Sequence, residues 1–103
     1  KGKLGDGVTI EEAAGLARQC ALQAVGIVRN ELGTLDKVTR VIRVGGFVGS
    51  AEGFIDHPKV VNGASQLLLD LFGEAGRHAR VAVGLAELPF GVPVEVEFLF
   101  EVS

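Results

Sequence analysis

The sequence predicts an α+β sandwich in which two amphipathic helices cover one face of an antiparallel sheet. Three observations predict it: a helix-initiation signature followed by apolar residues at steps of three and four, a second helical period opened by a proline, and three β-branched stretches flanking that second helix. With 103 residues the chain has room for one domain and not for two, so residues 1–103 are read as a single unit.

Thr9-Ile10-Glu11-Glu12 has the form of a capping box, in which hydroxyl and carboxylate each take the other residue's amide. A helix is expected from Ile10 to Leu32, with Ala13, Ala17, Cys20, Ala21, Ala24 and Val28 on one face and Gly33 as its C-cap. Those side chains are small, so the helix can lie close to whatever it covers. Val38 to Val48 is β-branched and alternating, a strand whose Gly45-Gly46 pair signals a bulge or a close backbone approach. A loop follows from Gly49 to His57, and Pro58 suits the first turn of a second helix. Val60, Val61, Ala64, Leu67, Leu68 and Leu71 supply its apolar face, and Gly73 its stop. Ala79 to Ala86 and Val92 to Val102 are the last two strands, joined by a turn at Leu88-Pro89-Phe90-Gly91. In the last strand Val94, Val96, Phe98, Phe100 and Val102 share one face, and Glu95, Glu97, Leu99 and Glu101 the other. That second sheet face mixes charges with Leu99 and Phe47, the composition of a surface that meets another subunit.

Composition excludes several function classes. Ten basic against thirteen acidic residues leave a net charge of −3, which gives little attraction for phosphate backbones, so no nucleic-acid partner is expected. Apolar residues at 48% argue against a disordered tail. One cysteine, Cys20, permits no intrachain disulfide and no CxxC knuckle, and two histidines, His57 and His78, are too few for an ordinary structural metal site. No apolar run is long enough to span a membrane, and Lys1-Gly2-Lys3-Leu4 has no secretory apolar core, so no membrane partner and a cytoplasmic location are expected. Cys20, on the apolar stripe, reads as a small core residue, and the two histidines as loop or cap residues.

Several segments together resemble one family. Val61-Asn62-Gly63-Ala64-Ser65, Gly73-Glu74-Ala75-Gly76-Arg77-His78-Ala79-Arg80, Leu88-Pro89 and Val94-Glu95-Val96-Glu97 are similar to the YjgF/RidA family of reactive-imine deaminases, historically labelled perchloric-acid-soluble endoribonucleases or translation inhibitors. The resemblance covers essentially the whole chain and points to a less-studied bacterial branch. It implies a chorismate-mutase-like (ferredoxin-like) fold, a homotrimer with ligand clefts between subunits, and no metal or cofactor. It also implies an upstream β-hairpin that these residues do not contain, which would leave a three-stranded sheet with an open edge.

The resemblance assigns the site. Arg80 matches the arginine that holds the carboxylate of a 2-imino acid, a task suited to a planar guanidinium. On the residue alone, Arg80 reads first as a surface or interface arginine paired with a glutamate, and it is the resemblance that favours the ligand role. Glu95 matches the glutamate that positions water for attack on the C=N carbon. By spacing it is also one of a solvated row with Glu97 and Glu101. Asn62 matches a pocket asparagine, although one extra residue separates it from Arg80, and by position it is an ordinary polar residue at a helix start. Ala82, beside Arg80 on the same strand face, stands where the best-known deaminases have a cysteine. A thiol is not needed to hydrolyse an imine, but the change bears on substrate identity. The expected function is hydrolysis of small 2-imino or enamino acids to 2-keto acids and ammonia. The alternative is a non-catalytic trimer that binds small carboxylates. An endoribonuclease is disfavoured by the charge balance and by the lack of an aromatic stacking platform.

Overall fold

The computed structural model describes residues 2–103. In chain order the elements are β1 (Lys3–Leu4), β2 (Gly7–Val8), α1 (Ile10–Leu32), β3 (Val38–Gly49), α2 (His57–Phe72), β4 (Ala79–Leu85) and β5 (Val94–Val102). β1 and β2 form a two-residue ladder that the sequence did not announce. The remaining elements are the helix, strand, helix, strand, strand order expected, as an α+β fold with both helices on one face of the sheet.

α1 starts as its capping box dictates. The Glu12 amide donates to the Thr9 hydroxyl at 3.1 Å, and the Glu12 carboxylate accepts the Thr9 amide at 3.1 Å. It ends at Gly33, whose φ of 78° lies in the left-handed region and whose amide donates to the Arg29 carbonyl. The fully buried stripe is Ala13, Ala17, Ala21 and Val25. Cys20, Ala24 and Val28, expected on the buried face, lie at its half-buried margin. The small stripe lets α2 approach so closely that a Cβ on Gly63 would collide with the Ala14 carbonyl of α1. α2 buries Val60, Val61, Ala64, Ser65, Leu67 and Leu68; Leu71, expected in this set, is half exposed.

The sheet is mixed, not wholly antiparallel. Its order is β4-β3-β5, with β3 and β5 antiparallel and β3 and β4 parallel. The reason is connectivity: β3, α2 and β4 form a crossover unit, and a strand that returns after a helix pairs parallel to the first. The Leu88–Gly91 turn therefore closes no hairpin and carries the chain to the opposite edge of β3. β5 begins at Val94 because Pro93 has no amide for the ladder.

Register decides which face each side chain takes. β3 has two bulges, between Val38 and Arg40 and between Val41 and Arg43. They keep Val38, Val41 and Val44 buried at steps of three, after which Gly46 and Val48 continue the same face at steps of two. The Gly45-Gly46 pair is thus the close approach and not the bulge: a Cβ on Gly46 would enter the Val61 side chain of α2, and one on Gly45 would meet the Glu97 side chain on the other face. Val44, Gly46 and Val48 are paired with Arg80, Ala82 and Gly84 of β4 and with Phe98, Val96 and Val94 of β5. All of these belong to the helix-covered face.

The opposite face carries Phe47, Val81, Val83, Leu85 and Leu99, the last 54% exposed, together with an Arg43–Glu97 ion pair at 2.7 Å. Among the described residues, no helix is long and apolar enough to cross a membrane.

Candidate functional site

The helix-covered face of β4 is where polar chemistry collects. β4 is an edge strand, and α2 runs antiparallel above it, so residues on one flank of α2 look down onto Arg80, Ala82 and Gly84. At the N-terminal end of α2, Ser50 Oγ and His57 Nε2 are 3.2 Å apart, over Gly84, where a Cβ would strike both. At the other end lies the larger cluster. An open cavity of about 550 Å³ is lined there by Ser65, Leu69, Arg77, His78 and Arg80. That volume is within the range of small-molecule pockets.

The side chains around it form a continuous hydrogen-bonded chain. Arg80 Nη1 donates to Asn62 Oδ1 at 2.5 Å and makes a longer 3.4 Å contact with Ser65 Oγ. Ser65 Oγ lies 2.9 Å from His78 Nε2, and His78 Nδ1 lies 2.5 Å from the Gly76 carbonyl. A carbonyl oxygen only accepts, so Nδ1 carries a proton. In the neutral ring Nε2 then accepts the Ser65 hydroxyl, whose oxygen is left to face Arg80. Among the described residues, Nη2 and Nε of Arg80 have no protein partner. The arginine is therefore fixed at one nitrogen and free at the edge a carboxylate would take.

Residues 1–101 match the family described as "YjgF/chorismate_mutase-like, putative endoribonuclease". The chain belongs to the YjgF family. Protein TCP17 of Trypanosoma cruzi is 50% identical over 103 residues, covering 99% of this chain and 64% of that protein. The crystal structure of Atu1372 from Agrobacterium tumefaciens, described as of unknown function, superposes with a TM-score of 0.95 at 42% identity, over 99% of this chain and 66% of that one. A putative endoribonuclease from Shewanella oneidensis gives a TM-score of 0.93 at 32% identity, over 99% and 68%. This YjgF chain thus spans about two thirds of the length of these relatives.

The structure brings Asn62 and Arg80 together, and Ala82 lies next to Arg80 on the same face, half buried and paired with Gly46. It does not bring Glu95 to them. Glu95 is exposed and paired with Phe47, on the opposite face of the sheet from Arg80. Cys20 is half buried, and burial pushes its thiol pKa up, with the Glu95 carboxylate adding to the shift.

Four lining residues of this YjgF pocket were missed in the sequence: Ser65, Leu69, Arg77 and His78. A signal for two of them was present. Asn62 and Ser65 are three apart on a helix, and His78 and Arg80 two apart on an extended segment, so each pair shares a side. What was missing was the placement of β4 under α2 and parallel to β3, which makes the two pairs meet.

Proposed function

We propose that this YjgF-family chain hydrolyses small 2-imino acids to 2-keto acids and ammonia, in clefts between the subunits of a homotrimer. The observation that carries the reading is Arg80, held at Nη1 by Asn62 and open at its remaining nitrogens beside the cavity. A guanidinium so fixed takes a carboxylate in two hydrogen bonds and sets the adjacent C=N at a constant position. Water adds to the imine carbon and gives up a proton. The nitrogen gains one, and the carbinolamine collapses to C=O with loss of ammonia. Imines hydrolyse readily in water, so positioning and proton transfer suffice for a useful acceleration.

The position of Glu95 supports the cleft between copies. Arg80 and Glu95 of one chain are separated by the sheet, so a site that uses both draws them from different subunits. The apolar residues of the open face, Phe47, Val81, Val83, Leu85 and Leu99, supply a surface for that contact.

The test is turnover of 2-iminobutanoate generated in place, read as 2-oxobutanoate formed faster than in buffer and slowed in Arg80→Ala. Binding of 2-oxobutanoate without turnover would give the protein the role of a carboxylate-binding module. The family description makes RNA the comparison substrate: chelator-treated, highly purified protein is expected to leave it intact.

A further inference from the structure

Arg80 is not the only cation at its cavity. Of the five lining residues three are basic, Arg77, His78 and Arg80, and none is acidic. Arg77 and Arg80 are three residues apart, so their Cα atoms are at most about 10 Å from each other. They reach the same cavity from neighbouring points of one chain segment. Arg80 is engaged with Asn62 and Ser65. Arg77 is engaged with Glu74 at 3.2 Å, an i, i+3 pair whose side chains are 75% and 86% exposed. An ion pair that exposed adds little to stability and gives way readily to a second anion. Leu69 adds an apolar stretch to the lining, suited to a short methylene chain. The Ser65 hydroxyl and the His78 ring complete the polar side.

A single carboxylate uses one guanidinium and leaves the other idle. We propose that this pocket selects a dianion, a 2-imino or 2-oxo acid that carries a second carboxylate, with Arg80 holding the first and Arg77 the second. The inference rests on the carboxylate-binding role given to Arg80 above and adds the substrate class. Arg77 is then a specificity residue: it distinguishes dicarboxylic from monocarboxylic substrates without touching the reacting carbon.

The experiment is calorimetric titration of the full chain with 2-oxobutanoate and with 2-oxoglutarate, a mono- and a dicarboxylate with the same 2-oxo acid head. The expected result is tighter binding of the dicarboxylate, with the advantage reduced about three- to tenfold in Arg77→Gln because the dicarboxylate loses more affinity than 2-oxobutanoate does. Arg40→Gln, which removes the same charge from a residue that does not line the cavity, should leave both affinities unchanged. Equal affinity for the two ligands, or an advantage that survives in Arg77→Gln, would overturn the dianion inference and leave the Arg80 reading standing. Failure of both ligands to bind would overturn the two together.

Discussion

Replacing Gly63 with alanine sets two well-known effects against each other. Alanine is favoured over glycine in a helix interior by about 1 kcal/mol. By that rule alone, Gly63→Ala in α2 should stabilise the fold. The structure predicts the reverse. A Cβ at Gly63 would overlap the carbonyl oxygen, carbon and Cα of Ala14, all backbone atoms of α1 that no rotamer change can move. The two helices must separate, and their separation loosens the packing of Ala13, Ala17 and Ala64, which are fully buried. Overpacking of this kind costs ~1–3 kcal/mol, and contact with backbone belongs at the upper end. Set against the propensity gain, the net loss is about 1–2 kcal/mol. For a chain of 103 residues that lowers the melting temperature by roughly 5–15 °C. Gly15→Ala is the control. It has the same chemistry, but nothing lies within 4 Å of the added carbon, so it should melt roughly 4–8 °C higher. The assay is a thermal melt of the three proteins at one protomer concentration, since assembly couples to stability. Gly63 also seats Asn62 and Ser65 over Arg80, so Gly63→Ala should weaken 2-oxobutanoate binding as well. A Gly63→Ala protein that melts at or above the wild-type temperature would refute the close-approach argument.

Other outcomes follow from the same geometry. Arg80→Lys keeps the charge but loses the planar fork, so 2-oxobutanoate binding should weaken by ~1.5–3 kcal/mol in calorimetry with the melting temperature nearly unchanged. Unchanged affinity would remove the fork from the account. Cys20 should label slowly with a thiol reagent in the native state and fast in denaturant, because burial pushes its pKa up and disfavours the thiolate. The Glu12 carboxyl is held below its ordinary value by hydrogen bonds from the Thr9 amide and hydroxyl. A depressed carboxyl stabilises above its unfolded pKa, and the contribution fades as pH falls through the folded one. The wild type should therefore exceed Glu12→Gln in stability at neutral pH and converge with it in acid. The proposed trimer should bury well over ~1,000 Å² in total and persist at micromolar concentration by light scattering. A stable monomer would refute it.

Much of the fold is legible in the sequence, because the signals are local. Thr9 and Glu12 name the start of α1, Gly33 names its end, and the alternation of Val94, Val96, Phe98 and Phe100 sorts the faces of β5 without any tertiary information. What was misread depends on pairing. The 38–48 stretch looks like simple alternation, yet its buried residues run Val38, Val41, Val44, because two bulges follow the partner strand rather than the local pattern. Adjacency in sequence suggests adjacency in space, and so an antiparallel sheet. Strand β3, which comes first, lies between the other two. At the site, Asn62 and Arg80 were legible through resemblance. Ser65 was not, since a small polar residue in an apolar helical run carries no period of its own. His78 looked like a cap because its partners, the Ser65 hydroxyl and the Gly76 carbonyl, are joined to it only by the turn after α2.

The same pairing argument fixes what kind of site is possible. Side chains in a sheet alternate with a period of two, so the face of every residue in β4 and β5 follows once one pair with β3 is known. Val44 is fully buried under the helices and is paired with Arg80 and with Phe98. Residues an even number of steps from these, Ala82 and Gly84 in β4 and Val94 and Val96 in β5, share their face. Glu95 is three steps from Phe98, an odd number, and is paired with Phe47 on the open side. No rotamer carries a glutamate through a hydrogen-bonded sheet. A mechanism that needs both Arg80 and Glu95 therefore requires that the open face of one copy meet the edge strand β4 of another. The residues that such a contact would bury, Val81, Val83 and Leu85 on β4 with Phe47 and Leu99 beside them, are among the apolar residues the single chain leaves partly exposed. Assembly and catalysis then rest on one surface. A charge placed there, as in Val83→Asp, should dissociate the oligomer and abolish imine turnover together, while Arg80 keeps its hydrogen bond to Asn62 within each chain. Loss of assembly with full activity retained would show that Arg80 works with groups of its own chain, and Ser65 and His78 are the ones in reach.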